Sequence, residues 1–244
     1  MVAVEAFCID RWEASMVDRL TGEALSPYYP PSPRLFAETW VAWQRRKDLV
    51  GDEAARRMPI PDVSEWQKTH SFDAKAMSRS GVVPQAYVTH PIAVRGCENA
   101  GKRICTLVEW TTACRSQDRT TYSYGNVFDR STCNVYRYVH PGFLLHGDSS
   151  VGLRDPRMNL VTVEGERPLL EVTGSRPRCA SRWGADAVRD LVGNLDEWVE
   201  TDEGPAFVGG FYARSTTKGC DAIVSTHAPV YSDYSIGARC CTTP

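Results

Sequence analysis

No apolar run in these 244 residues approaches the roughly 18 to 20 that a membrane-spanning helix needs. The opening MVAVEAF has neither a basic start nor a long apolar stretch. Membrane insertion is therefore not expected, and if the chain is exported, its export signal is expected to lie outside these residues. An excess of one charge sign is missing as well. Lys and Arg number 28 against 30 Asp and Glu, for a net charge of −2 and a pI near 6.2. That balance leaves no electrostatic footprint for nucleic acid or an anionic membrane. Histidine is scarce: His70, His90, His140, His146 and His227 form no helical pair and no HxxxE pattern. His140 and His146 flank a Pro-Gly turn and read as exposed loop histidines. The sequence also lacks a nucleophile elbow, a phosphate loop and a zinc-protease motif.

Cysteine, by contrast, is plentiful. There are nine, without the CxxC spacing that structural zinc sites use. Disulfides are the better reading, and they persist in oxidising compartments, so the expected location is extracytoplasmic: periplasm, cell surface or outside. An odd count leaves at least one thiol unpaired within the monomer.

Along the chain, Phe7–Ser15 alternates apolar and polar residues as a short strand does, and Thr21-Gly22 followed by SPYYPPSP reads as a turn and extended segment. Leu35–Arg57 places Leu35, Trp40, Trp43, Leu49 and Val50 among many charges, the pattern of one amphipathic helix. His90–Asn99 reads as a helix stopped at Ala100-Gly101. A second begins at Thr106, where Thr106 and Glu109 match a capping box. In it Leu107, Trp110 and Cys114 recur at helical spacing, which puts the cysteine on the buried face. From Tyr122 to Val188 the sequence reads as turns, short strands and long loops, with no repeat and no low-complexity tract.

Three blocks stand out in order: AGKRICTLVEWTTACR at Ala100–Arg115, GNLDEWVE at Gly193–Glu200 and GARCC at Gly237–Cys241. With them come FCIDRWEAS near the start, PQAYVTHPIA ahead of the first block and GGFY near the end. Together, from Phe7 to Cys241, they resemble the signature of the formylglycine-generating enzyme family, the sulfatase-modifying factor domain. The resemblance implies an α+β domain of that type, an elaborated C-type-lectin-like fold, loop-rich with little regular secondary structure. It implies a single domain over 1–244, with 26–80 as an elaboration on the core.

It also implies disulfides between Cys97 and Cys240 and between Cys114 and Cys220. The family fold brings the first and last strands together as antiparallel neighbours, which favours Cys8 with Cys241. Cys133 with Cys179 then clips the long middle loop and leaves Cys105 free, although sequence alone does not fix the connectivity of these five.

In the family, the GNLDEW block wraps a structural calcium ion, a hard cation that takes six to eight oxygen ligands. Carried over, Asn194 and Glu197 are expected to ligate through side chains, and Gly193 and Leu195 through carbonyls. Asp196 stands where the family has tryptophan. A second ion site is matched at Asn134-Val135, without a clear counterpart for its downstream aspartate. The alternative for Asn194 and Glu197 is a hydrogen-bonded turn without metal.

Formylglycine generation needs two close cysteines that hold copper(I) as thiolates, and the family places them just after its GGS block. Here the block is Gly209-Gly210-Phe211, Arg214 falls where the first copper cysteine belongs, and Cys220 is the only cysteine that follows closely. Neither copper nor formylglycine-generating activity is expected. The reading is an exported binding protein for a protein or small-molecule ligand, with a candidate pocket at Arg214, His227, Tyr231 and Asp233. Its rival is an oxidoreductase or metal-dependent enzyme that modifies a cysteine-containing protein, in one form through the unpaired thiol.

Overall fold

A computed structural model describes the chain except residues 48, 136, 138, 139, 163–166, 215, 216 and 244, together with the side chain of residue 54. The first third contains β1 (Val2–Val4), β2 (Phe7–Ile9), β3 (Ala14–Asp18), α1 (Pro33–Arg46), α2 (Glu53–Arg57), α3 (Glu65–Thr69) and β4 (Ala74–Ser78). Then come α4 (His90–Asn99), β5 (Arg103–Ile104), α5 (Leu107–Cys114) and α6 (Pro141–His146). The last third holds β6 (Ala180–Trp183), β7 (Asp186–Arg189), β8 (Asp196–Val199), β9 (Ala206–Val208), β10 (Ile223–Val224), β11 (Ile236–Gly237) and β12 (Cys240–Thr242). The fold is α+β and loop-rich, built on short strands.

One sheet runs β1-β2-β12-β5 and a second runs β10-β9-β8-β11, while β3 pairs with β4 and β6 with β7. Helix α5 packs Trp110, Ala113 and Cys114 into a core shared with Val2, Val4 and Ile9 of the first sheet and Val208 of the second. Within residues 26–80, Tyr29, Phe36, Val63 and Phe72 pack around Ala14 and Met16 of β3 and the Cys97–Cys240 disulfide.

The helix expected over Leu35–Arg57 is two helices. α1 ends at Arg46 and leaves Leu49 exposed, and Asp52 then caps α2 by accepting from the Ala55 amide at 2.8 Å. Between them Gly51 has φ +86°, and a Cβ there would sit 1.9 Å from the Leu145 carbonyl oxygen. Only glycine makes that turn without strain. α6 lies in the stretch read as turns and loops, and neither histidine near it is an exposed loop residue. The side chain of His146 is buried, 3.0 Å from Asp155, and the half-buried His140 caps α6 by accepting from the Gly142 amide at 3.0 Å.

Disulfides join Cys97 to Cys240, Cys114 to Cys220 and Cys133 to Cys179, matching the expected pairs. The fourth corrects the expectation, because Cys241 bonds Cys105 and the unbonded cysteine is Cys8. β2 and β12 are antiparallel neighbours, but Cys241 lies opposite Ile9 and Cys8 opposite Thr242. Side chains alternate faces along a strand, so this one-residue offset puts Cys8 and Cys241 on opposite sides of the sheet. Cys241 faces the core, where Cys105 at the end of β5 meets it.

Candidate functional site

The GNLDEW block enters β8 through a tight turn. Gly193 has φ +85°, and a Cβ there would lie 2.3 Å from the Asn134 carbonyl oxygen, so glycine is required for the two segments to pass. The Asn194 side chain donates to Glu13 Oε2 at 2.7 Å and to the Glu171 carbonyl at 3.2 Å. Its Oδ1 accepts from Asn134 Nδ2 at 2.9 Å and from the Glu171 amide at 3.1 Å. The Leu195 amide donates to Glu13 Oε1 at 3.2 Å. Asn134 and Asn194, expected at two separate ion sites, thus belong to one buried amide cluster.

Glu197 is engaged in the same way. Arg239 Nε donates to its two oxygens at 3.0 and 2.9 Å and Nη2 donates to Oε1 at 2.7 Å, while Trp110 Nε1 donates to Oε2 at 2.6 Å. These side chains do not fit a calcium ion. The carboxylate already accepts from a guanidinium and an indole, and the positive charge a metal would bring is supplied by Arg239, itself fully buried. Among the described residues no group of three or more His, Cys, Asp and Glu is arranged to hold a metal ion.

Three carboxyls surround that one guanidinium. Burial pushes Glu13 well above the usual carboxyl range and the charges of Asp190 and Glu197 push it further, while Arg239 and the Asn194 amide oppose the rise. Burial also pushes Asp190 up to about 6, against the Gly174 amide that donates to it at 2.7 Å. Glu13, Asp190 and Arg239 were not singled out from the sequence. The available signals were that Glu13 lies in FCIDRWEAS and Arg239 in GARCC.

Of the four candidate ligand residues, three are in direct contact. Tyr231 Oη donates to Asp233 Oδ2 at 2.6 Å, and His227 stacks on Tyr231 with ring centroids 4.1 Å apart. His227 also lies over Phe207 at 5.4 Å. Arg214 forms an ion pair with Asp196, whose Oδ1 also accepts from the Gly210 amide at 3.0 Å. Asp196 is fully buried. Burial pushes it up to about 7, the charge of Asp233 adds to the rise, and Arg214 opposes it. Arg214 is thus not in contact with the other three, and is linked to them only through the charge of Asp233 acting on Asp196. Tyr231 alone of the four lines a cavity of about 490 Å³, together with Trp43, Arg46 and Arg154.

Behind this surface, Tyr234 meets His140 at 2.7 Å. His140 Nδ1 already accepts from Gly142, so Nε2 carries the proton and donates to the tyrosine oxygen. Burial pulls His140 below the usual histidine value. After Gly209-Gly210, then, the chain offers an arginine held by an aspartate, and Cys220 is consumed in its bond to Cys114.

A family model, the sulfatase-modifying factor enzyme 1-like domain, matches residues 38–243. The chain belongs to this family. Among solved structures it is similar to the crystal structure of CarF, at 13% identity and a TM-score of 0.42, over 97% of this chain and 99% of that one. It is similar also to Treponema denticola variable protein 1, at 12% identity and a TM-score of 0.42, over 98% of this chain and 95% of that one. No curated protein matches the chain.

Proposed function

We propose that this chain is an extracytoplasmic binding member of the sulfatase-modifying factor family that does not generate formylglycine. It takes a protein or small-molecule ligand at the surface formed by Arg214, His227, Tyr231 and Asp233. The observation that carries the reading is the state of the cysteines. Copper(I) is held by two thiolates, yet eight of the nine cysteines are bonded in pairs and the ninth, Cys8, stands alone on β2. Where the resemblance puts the first copper cysteine, Arg214 is tied to Asp196. The ligand surface is supported by a tyrosine, a stacked histidine and a paired arginine and aspartate, groups that combine flat apolar area with directed hydrogen bonds. Four disulfides support the location, since such bonds persist where the surroundings are oxidising.

The test is a peptide carrying a sulfatase-type cysteine motif, incubated with the disulfide-bonded protein, copper and oxygen. The peptide should keep its cysteine mass. A mass loss matching thiol-to-aldehyde conversion, absent without the protein, overturns the reading.

A further inference from the structure

The second sheet ends in an open edge, and the ground beside that edge is apolar. We infer that β10 and the cleft between it and α5 form a docking site for an extended peptide segment, which adds a strand to the edge and places one apolar side chain in the cleft. The cleft has a volume of about 370 Å³ and is walled by Leu107 and Val108 of α5, Val208 of β9, and Ile223 of β10 with Ala222 before it. It is separate from the surface at His227 and Tyr231. That surface packs over Phe207 and Val224, the next register pair, whose side chains point to the other face of the sheet.

Strand register decides which backbone groups face outward. Ile223 lies opposite Val208, and the Gly209 amide donates to the Ala222 carbonyl at 3.3 Å. In an antiparallel ladder that bond flanks a non-hydrogen-bonded pair, so Ile223 makes no bond to β9 and turns its N–H and C=O toward the open side. β10 is the last strand of its sheet, and no further strand pairs with it among the described residues. A peptide residue set opposite Ile223 therefore donates to its carbonyl and accepts from its amide.

The side-chain layer is unfinished at the same place. Register partners point to one face, so Val208 and Ile223 both lie on the side of the sheet that α5 covers. Val208 is fully buried in the core with Trp110, whereas Ile223, one strand further out, is 46% exposed and Val108, on the helix, is 75% exposed. A residue paired with Ile223 projects its side chain onto this face, beside Ile223 and Val108, and its two neighbours in the peptide point away. That position takes an aliphatic or aromatic side chain, because the cations lining the cleft, Arg115 and Arg119, are already paired with Asp221 and Glu5. Main-chain bonds at the edge with a pocket for one side chain make up the strand-addition mode of peptide recognition. An edge of two residues does not hold a second copy of this chain, since stable interfaces bury roughly 1,200–2,000 Å².

The probe is the blocked peptide acetyl-Ser-Thr-Thr-Leu-Thr-Thr-Ser-amide, titrated into the full disulfide-bonded chain with backbone amide resonances and hydrogen exchange as readouts. Saturable shifts at Val108, Ala222 and Ile223, with slower exchange of the Ile223 amide, are expected. Methylating the leucine nitrogen keeps the side chain but removes the donor to the Ile223 carbonyl, and replacing the leucine by serine keeps the backbone but removes the apolar group. Each change should weaken binding about tenfold. Val108→Glu should weaken it by a similar factor, and because Val108 is exposed, the melting temperature of this variant should not fall below that of the wild type. Shifts confined to His227 and Tyr231 place the peptide on the other surface, and equal binding of the methylated peptide removes the strand pairing. Protection of the Ile223 amide that grows with protein concentration, without peptide, gives the edge to a second copy. Any of these three, or no saturable shift up to millimolar peptide, overturns the inference.

Discussion

Arg239 carries the charge balance of the interior, and two predictions follow its surroundings. Glu197→Ala removes the one carboxylate hydrogen-bonded to it and leaves a fully buried guanidinium bonded to the Asp10 and Arg189 carbonyls, with Glu13 and Asp190 nearby but both disfavoured as anions by burial. Breaking one side of a buried ion pair costs about 3–5 kcal/mol, and Glu197→Gln, which keeps an acceptor, should cost less. Denaturant unfolding measures both, and a loss under about 1 kcal/mol for the alanine variant contradicts the role given to the pair. The second prediction concerns pH. Unfolded, an aspartate ionises near pH 4, whereas folded Asp190 keeps its proton to about 6 and Asp196 to about 7, in both cases chiefly because of burial. The folded state holds more protons across that window. Its contribution to stability is therefore complete below about pH 4 and is lost as pH rises through 6 and 7. Asp73, held down to about 2 by Arg95, and Asp129, held to about 2 by Ser131, act the other way, with stability lost as pH falls from about 4 toward 2. The melting temperature should peak near pH 4 and decline from there to about pH 7. Asp196→Asn should flatten that decline, and an identical slope in the variant rules Asp196 out as a cause.

The elements differ in how far local sequence determines them. At α5 Thr106 Oγ1 accepts from the Glu109 amide at 3.2 Å and Glu109 Oε2 accepts from the Thr106 amide at 2.9 Å, while Arg103 pairs with the same glutamate. The signal spans four residues, so it is visible in sequence. Thr106→Ala should cost about 1 kcal/mol, measured by thermal or denaturant unfolding, and no measurable change means that packing of Trp110 and Cys114 alone holds the helix. α4 is legible for the same reason, since Thr89 caps it and Gly101 follows it. The break between α1 and α2 is not, because it depends on Gly51 meeting a carbonyl of α6 far along the chain. The candidate site divides in the same way. Its blocks can be read as motifs, but Glu13 and Asn194 bond across 181 residues, and no spacing in the sequence pairs them. Asp196 illustrates the limit: its place in GNLDEW is plain, yet its bond to Arg214 follows from how β8 meets the turn after β9. The pairing of Cys241 was lost to a one-residue register between β2 and β12, a quantity that strand alternation fixes only once the two strands are known to be neighbours.

Over the whole molecule, covalent closure compensates for short strands and long connections. The disulfides span 143, 136, 106 and 46 residues, and two of them begin at adjacent positions, Cys240 and Cys241, on the last strand. Successive side chains of β12 point to opposite faces, so Cys240 ties the strand to α4 on one side and Cys241 ties it to the end of β5 on the other. On the chain-entropy account, closing a loop of more than 100 residues restricts the unfolded state by on the order of 4 to 5 kcal/mol. Disulfide removal in small exported domains typically costs about 2–5 kcal/mol. Cys105→Ser/Cys241→Ser removes one closure and leaves the other three, so it should lower stability by about that amount without changing the connectivity of the rest. The same arrangement makes a prediction about reactivity. A thiol-alkylating reagent applied to the native, unreduced protein should add one label per chain, and peptide mapping should find it at the half-exposed Cys8. Label at Cys105 or Cys241 would show that the β5–β12 closure is not formed, and would return to the protein an unbonded thiol beside α5 that the binding reading does not use.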